Sequence, residues 1–336
     1  MHDDLELEPP RVQRGESFLL SVVVPCFDEA PVIRETHARL VAALACIADA
    51  RFEIVYVDDG SGDRTLSMLR ALQQADPRVR VISLSRNFGQ QIAGAAGLEH
   101  AAGDAVVLID ADLQDPPEVI PEMVERWRAG VDVAYGARTE REGETPLKLW
   151  TAKTYCRTLN RLADVDIPLD TGDFRLMDRK VVDALLAMPE RDRFVRGMVA
   201  WAGFRQEPVH YGRSARFAGR TKYSLTRMLR LASDGILSFT MAPLRLAFFM
   251  GLATAGLALA GSAGVLVRYL VTGVGVAGWV VLFIAVLFLG GVQLAFLGVI
   301  GEYLGRVYGE VKRRPLYLVK DRQGFADPGR STAERR

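Results

Sequence analysis

Cysteine is nearly absent: the 336 residues hold only Cys26, Cys46 and Cys156, an odd number with no CxxC spacing. That argues against a disulfide framework or a thiolate zinc site and fits a reducing compartment. Histidine is also scarce. His2, His37, His100 and His210 are scattered without ligand spacing, so surface or packing roles are expected of them. The opening MHDDLELEPP is acidic and has no apolar core, so a disordered tail is expected over 1–16 rather than a signal peptide. There is no charge excess, the net being +1, and no internal repeat. No nucleic-acid partner is expected.

What is present is unevenly placed. Up to Tyr211 charged and apolar residues are mixed, but 246–267 and 269–301 contain no charged side chain. Each run reaches the roughly 20 residues needed to cross ~30 Å of hydrocarbon. Between Arg205 and Arg245 lie eight basic residues against Glu207 and Asp234 alone, and Lys312-Arg313-Arg314 follows the second run. Basic flanks favour the cytoplasmic side and attract anionic headgroups. The expectation is an inner (plasma) membrane protein with two spans and both termini cytoplasmic. Its parts are a soluble domain over 17–215, a basic juxtamembrane segment over 216–243, a two-helix transmembrane hairpin over 244–303 and a C-terminal tail over 304–336. Residues 224–238 carry the pattern of an interfacial helix.

In the soluble part, apolar β-branched runs at 19–25 (LLSVVVP), 52–57, 79–84, 104–109 and 131–135 predict strands. Helical patterns at 32–48, 65–74, 90–101 and 117–129 separate them, with a further helix expected at 151–162 and later strands at 174–177 and 204–210. Strands alternating with helices imply a mostly parallel sheet, and ligands of such sheets bind beyond the carboxyl ends of the strands. Three loops occupy that edge, 25–29, 58–61 and 110–114, all rich in carboxylates.

Asp110-Ala111-Asp112 is the sharpest of these. Two carboxylates two residues apart on irregular backbone can converge on one hard cation, and Gln114 adds a neutral oxygen. Mg²⁺ or Mn²⁺ takes such ligands and shares its remaining sites with phosphate and water. Asp58 and Asp59 also fit a plain turn before a helix. Gly89, Gly94 and Gly97 have no following Lys-Ser/Thr, so close helix packing explains them better than a phosphate loop.

DADLQDPPE (110–118), with VVVPCFDE (22–29) and VDDGSGD (57–63), resembles the family 2 glycosyltransferases of GT-A fold. The nearest branch acts on polyprenyl phosphate and includes dolichyl-phosphate mannose synthases and bactoprenol glucosyltransferases. The likeness extends through TGDFRLMDR (171–179), RFVRG (193–197), GRTKYS (219–224) and GEYLGRVYGEVKRRPLYLV (301–319). It implies a Rossmann-like α/β sheet flanked by helices, then interfacial and two transmembrane helices. It implies that Pro25, Phe27, Glu29, Val57 and Asp59 surround the base and ribose, with Asp110, Ala111 and Asp112 near the sugar and Ala111 approaching through its backbone. Phosphates would meet Arg138, Arg175, Arg216 and Lys222, with Arg193 and Arg196 weaker candidates. Arg216, Arg220 and Lys222 also suit a headgroup-facing patch. The carboxylate near sugar and acceptor falls at Asp173 or, second, Asp170, because this chain reads Asp-Thr-Gly-Asp-Phe where the branch has Asp-Ser-Gly-Phe.

The expected reaction is sugar transfer with inversion from a nucleotide diphosphate sugar, UDP-glucose first and GDP-mannose second, to polyprenyl phosphate at the membrane. Homo-oligomerisation is left open. A processive polysaccharide synthase would need a downstream QxxRW, but the one Arg-Trp, Arg126-Trp127, has Met123 at the Gln position. A non-enzymatic scaffold or lipid carrier is disfavoured by the lack of charge in the apolar runs.

Overall fold

The computed structural model describes residues 17–138, 171–191, 193–212, 242–273 and 278–325. Asp170, Arg216, Arg220, Lys222, the expected helix at 151–162 and the interfacial stretch at 224–238 lie outside these residues. The chain divides into two compact units, a sheet unit and a helical unit.

In the sheet unit β1 (Phe18–Cys26), α1 (Ile33–Ala45), β2 (Ala50–Asp58), α2 (Thr65–Ala75), β3 (Val79–Leu84), α3 (Gln90–His100) and β4 (Ala105–Leu108) alternate as the apolar runs predict. A 3-10 turn at Pro117–Val119 leads into α4 (Ile120–Arg128). After it come β5 (Val133–Arg138), β6 (Thr171–Asp178), α5 (Arg179–Ala187), α6 (Val195–Trp201) and β7 (Gln206–Tyr211). Among the described residues the sheet has eight strands in the order β7-β5-β6-β4-β1-β2-β3-β8, where β8 is Val319–Gln323. The centre, β4-β1-β2-β3, is parallel. The strand β6 enters antiparallel between β4 and β5, and β8 lies antiparallel on β3. Residues 304–336, expected to be a tail, contain that edge strand.

The central strands are buried on both faces: Val22, Val23, Val24, Ile54, Val55, Tyr56 and Val57 have no exposed surface. One layer packs α1, α2 and α4 against the sheet, and the other packs α3, α5 and α6. The small residues of α3 let it settle deeply. A Cβ on Gly97 would lie 2.2 Å from Val23 Cγ1, and one on Gly94 would lie 3.4 Å from a Leu108 methyl. Gly94 and Gly97 therefore set helix–sheet distance as expected, whereas Gly89 has open space around it and is needed for its φ of 104° at the helix start.

Chain order reverses at β1: the path runs outward through β2 and β3, then returns to place β4 on the other side. The crevice between the carboxyl ends of β1 and β4 is the switch point at which ligands bind in sheets of this kind. Loops 25–29 and 110–114 both leave from it.

The helical unit contains α7 (Ala242–Thr272) and α8 (Gly278–Val311). A Cβ on Gly251 of α7 would come 3.8 Å from the Phe296 ring of α8. Leu252, Leu266, Leu282, Phe283 and Leu294 are largely exposed, the reverse of the sheet unit. Among the described residues one stretch, Phe288–Val311, is long and apolar enough to cross a membrane, and Ala263–Thr272 is a shorter apolar helix. Two spans are expected from the sequence; one meets the criterion here.

Candidate active site

Two of the three acidic loops, 25–29 and 58–61, are tied to one another. Asp28 adopts φ of 55°, a left-handed conformation, which turns its backbone N–H to the Ser61 hydroxyl (3.1 Å) and its carboxylate to the Gly62 N–H (2.8 Å). Glu29 donates its N–H to Thr65 Oγ1 at 2.8 Å. Phe27 stands on this rim with 37% of its surface exposed, while Pro25 and Glu29 are partly buried. An exposed ring beside partly exposed polar groups is a surface on which a base can stack.

Asp59 is placed differently from a free base-reading carboxylate. It is buried, and its two oxygens accept the backbone N–H groups of Phe88 (2.7 Å) and Gly89 (2.9 Å). Beside it Gly60 has φ of 71°, and a Cβ there would lie 2.5 Å from the Arg86 carbonyl carbon. Asp59 and Gly60 thus lock the β2–α2 loop onto the β3–α3 loop. Burial raises the Asp59 carboxyl's pKa, and the two N–H groups offset part of that. Asp58 is buried and accepts from the Ser83 hydroxyl at 3.5 Å; burial raises its pKa too. The Val57 side chain belongs to the core under α3, so only its backbone can serve a ligand.

Past β4, Leu113 sits at φ of 59°, unusual for a branched side chain and a mark of a tightly determined turn. Ala111 is buried and its carbonyl accepts the Thr36 hydroxyl at 2.7 Å. That carbonyl is committed to α1, which leaves the N–H as the backbone group for any ligand. Asp112 Oδ1 accepts the Gln114 N–H at 3.2 Å. Asp115 is buried and accepts from the Tyr211 hydroxyl, so β7 braces this loop from below.

Asp110 and Asp173 come together from β4 and β6. The Asp110 carboxyl is raised to about 8, by burial first and then by Asp173, Asp112 and Asp115. Gln90 donates to Asp110 Oδ1 at 2.6 Å. Asp173 goes the other way. Burial raises it, but Arg196, Arg175 and Gln91 outweigh burial and hold it below the usual carboxylate range. Arg196 Nε meets its Oδ1 and Gln91 Nε2 its Oδ2, both at 2.8 Å.

Arg175 differs from its expected place among the phosphate ligands. It is buried, its guanidinium donates to the carbonyls of Gly172 (3.1 Å) and Asp173 (3.4 Å), and burial lowers its pKa to about 10. It braces the β6 start from behind, because a buried guanidinium needs acceptors and finds only backbone. The accessible cation at Asp173 is Arg196, whose side chain is 34% exposed. Arg138 ends β5 opposite Tyr211.

Asp110, Asp112 and Gln114 offer oxygen alone, the donor chemistry of Mg²⁺ and Mn²⁺, and the crowded acids around Asp110 favour a cation. Among the described residues no three His, Cys, Asp or Glu side chains converge on one metal. The residues thus fit a cation that keeps coordination sites for a ligand's oxygens rather than a closed protein cage.

The sequence compares as follows. The model of "Glycosyl transferase family 2" matches residues 21–186. A glycosyltransferase of Bacillus subtilis (strain 168), YkcC, is 48% identical over 91% of this chain and 94% of its own length. The chain belongs to glycosyl transferase family 2. A second relative of this glycosyltransferase, the prophage bactoprenol glucosyl transferase homolog of Escherichia coli (strain K12), is 41% identical over 90% of this chain and 98% of its own. The bactoprenol glucosyl transferase of Shigella phage SfV is likewise 41% identical, over 90% and 98%. Glucosyl-3-phosphoglycerate synthase from Mycobacterium tuberculosis aligns over 66% of this chain and 79% of its own at 23% identity and a TM-score of 0.46.

The candidate site also holds residues that stand outside the motifs. Gln90 meets Asp110, Gln91 meets Asp173 on β6, Tyr211 meets Asp115, and Thr36 meets the Ala111 carbonyl. Only position could have marked the glutamines, which open a helix directly after a sheet edge.

Proposed function

We propose that this glycosyltransferase moves a hexosyl group, glucose from UDP-glucose first, onto polyprenyl phosphate, releasing the nucleoside diphosphate and inverting the anomeric centre. The observation that carries the proposal is the meeting of the Asp110–Asp112 loop with Asp173 and Arg196 near the β1/β4 crevice. Relatives named bactoprenol glucosyl transferase along 90% of the chain support the lipid phosphate and the sugar. Two helices of 31 and 34 residues with exposed apolar side chains support anchoring in a membrane, and the basic residues of 205–245 and 312–314 favour a cytoplasmic sheet unit.

In this reading Phe27 stacks on the base, and Pro25, Glu29 and the Val57 backbone complete its pocket. Asp112 and Gln114 hold Mg²⁺ or Mn²⁺, with Asp110 supporting. The cation supplies electrostatic stabilisation of the departing diphosphate. Arg196 receives the acceptor phosphate, aided by Arg138 and by Arg216 and Lys222 of the basic segment. Arginine's planar fork suits that task. An acceptor phosphate, with a second pKa of about 6, is already an anion and needs no proton removed. Asp173, kept ionised by Arg196, is a weak base, so it orients rather than deprotonates.

The test incubates purified full-length protein with undecaprenyl phosphate, Mn²⁺ or Mg²⁺, and labelled UDP- and GDP-sugars. Labelled lipid from UDP-glucose, lost in Asp112→Ala, is the expected result. Label only from GDP-mannose would replace the donor, and transfer untouched by Asp112→Ala or by chelation would sink the metal role.

A further inference from the structure

The first turn of α3 presents two consecutive glutamines, and each holds one of the two opposed carboxylates. Neighbours in a helix point about 100° apart, so Gln90 and Gln91 diverge to Asp110 and Asp173. Gln91 does more. While its Nε2 donates to Asp173 Oδ2 at 2.8 Å, its Oε1 accepts the backbone N–H of Val195 at 3.1 Å. Val195 opens α6, whose N-cap residue Phe194 gives no side-chain cap. The next residue, Arg196, returns to Asp173 Oδ1 at 2.8 Å. The circuit closes through α3, β6 and α6.

We propose that Gln91 is a positioning residue that clasps Asp173 to the start of α6 and so fixes where Arg196 stands. An uncharged amide fits this place, because it donates to a carboxylate and accepts from an N–H at once; glutamate cannot donate to an ionised Asp173, and methionine has no donor and only a weak acceptor. The mounting is rigid, because Gly97 seats α3 against Val23 with no room for a side chain. Asp59 fixes the preceding backbone through Phe88 and Gly89. Arg175 and Gly172 hold the β6 side of the circuit. Without Gln91, Asp173 keeps Arg196 but loses the link that orients both, and the α6 N–H loses its partner.

The consequence for turnover rests on the proposed reaction, in which Arg196 meets the acceptor phosphate. A group that aligns reactants without binding the donor changes kcat and spares donor KM. Full-length wild type, Gln91→Glu, Gln91→Met, Arg196→Ala and the double variant Gln91→Met/Arg196→Ala are assayed with UDP-glucose, undecaprenyl phosphate and Mn²⁺. Expected is a fall in kcat of about 10-fold or more for both Gln91 variants, with donor KM within about twofold. On the Arg196→Ala background the same Gln91→Met change should cost under about threefold, since the guanidinium that the clasp positions is already gone. Equal costs on both backgrounds, or a donor KM that rises in step, overturn the proposal.

Thermal unfolding of the same proteins without substrate gives an independent reading. Coupling predicts that the double variant's midpoint falls by less than the sum of the single falls; strict additivity overturns the clasp. If wild type transfers no sugar to the lipid while the midpoints couple, the proposed function fails and the clasp stands.

Discussion

Replacing Asp59 by asparagine separates two jobs that the same carboxylate could do. As placed, Asp59 is 2% exposed and accepts two backbone N–H groups, from Phe88 at 2.7 Å and Gly89 at 2.9 Å. Asparagine keeps one acceptor oxygen and turns an NH₂ toward the second N–H, so one bond is weakened and one becomes donor against donor. A hydrogen bond to a charged group contributes about 1.5–3 kcal/mol, and an unsatisfied buried donor costs about 1–3 kcal/mol. Burial already disfavours the Asp59 anion, as its raised pKa records, so the lower end applies and the expected loss is about 2 kcal/mol. The loop it anchors leads directly into Gln90 and Gln91, so kcat should fall as well. Urea unfolding of the purified variant, run beside steady-state kinetics, checks both. A carboxylate that mainly reads the base predicts the opposite: unchanged unfolding and a donor KM raised about tenfold, worth about 1.4 kcal/mol of binding. That result would refute the anchor.

Gly97→Ala places a Cβ 2.2 Å from Val23 Cγ1 and should destabilise by about 1–3 kcal/mol in urea unfolding, with Val23→Ala restoring part of the loss. Tyr211→Phe removes the hydroxyl that buried Asp115 accepts, so thermal unfolding should show a cost of about 1–3 kcal/mol; wild-type stability would contradict the brace. For pH, the Asp110 carboxyl raised to about 8 binds a proton in the folded metal-free protein that the unfolded chain releases near pH 4. The folded state then holds more protons across that window, so this group's contribution lowers stability as pH rises from about 4 to about 8. Saturating Mn²⁺ should lift the unfolding midpoint more at pH 8 than at pH 5.5, and an equal lift at both would remove Asp110 from the cation's surroundings.

The parallel centre is legible from sequence because its strands are buried on both faces over most of their length and so carry short β-branched runs. Val22-Val23-Val24 and Ile54-Val55 carry no other message. The edge strand β8, VKDRQ, has no such signature, being half exposed and held by backbone pairing and Arg70–Asp321. The site divides similarly. Asp110, Asp112 and Asp173 stand out as charges at strand ends. Gln91 and Tyr211 do not, since their roles depend on partners 82 and 96 residues away that composition cannot pair. Arg175 shows the converse: a basic residue in a promising motif, turned inward to backbone carbonyls two and three residues back.

Strand β8 has a consequence for how the molecule is made. The ribosome delivers β7, then all of α7 and α8, and only afterwards the strand that covers β3. Until then the backbone groups along one side of Val79–Leu84 have no neighbour, Arg70 lacks Asp321, and Glu99 lacks the Tyr317 hydroxyl. An open edge of this kind invites pairing with other chains. The glycosyltransferase is therefore interleaved rather than modular. A fragment cut off before Ala242 to gain solubility would inherit that bare edge for good, whereas in a chain that includes Val319–Gln323 it lasts only until those residues are made.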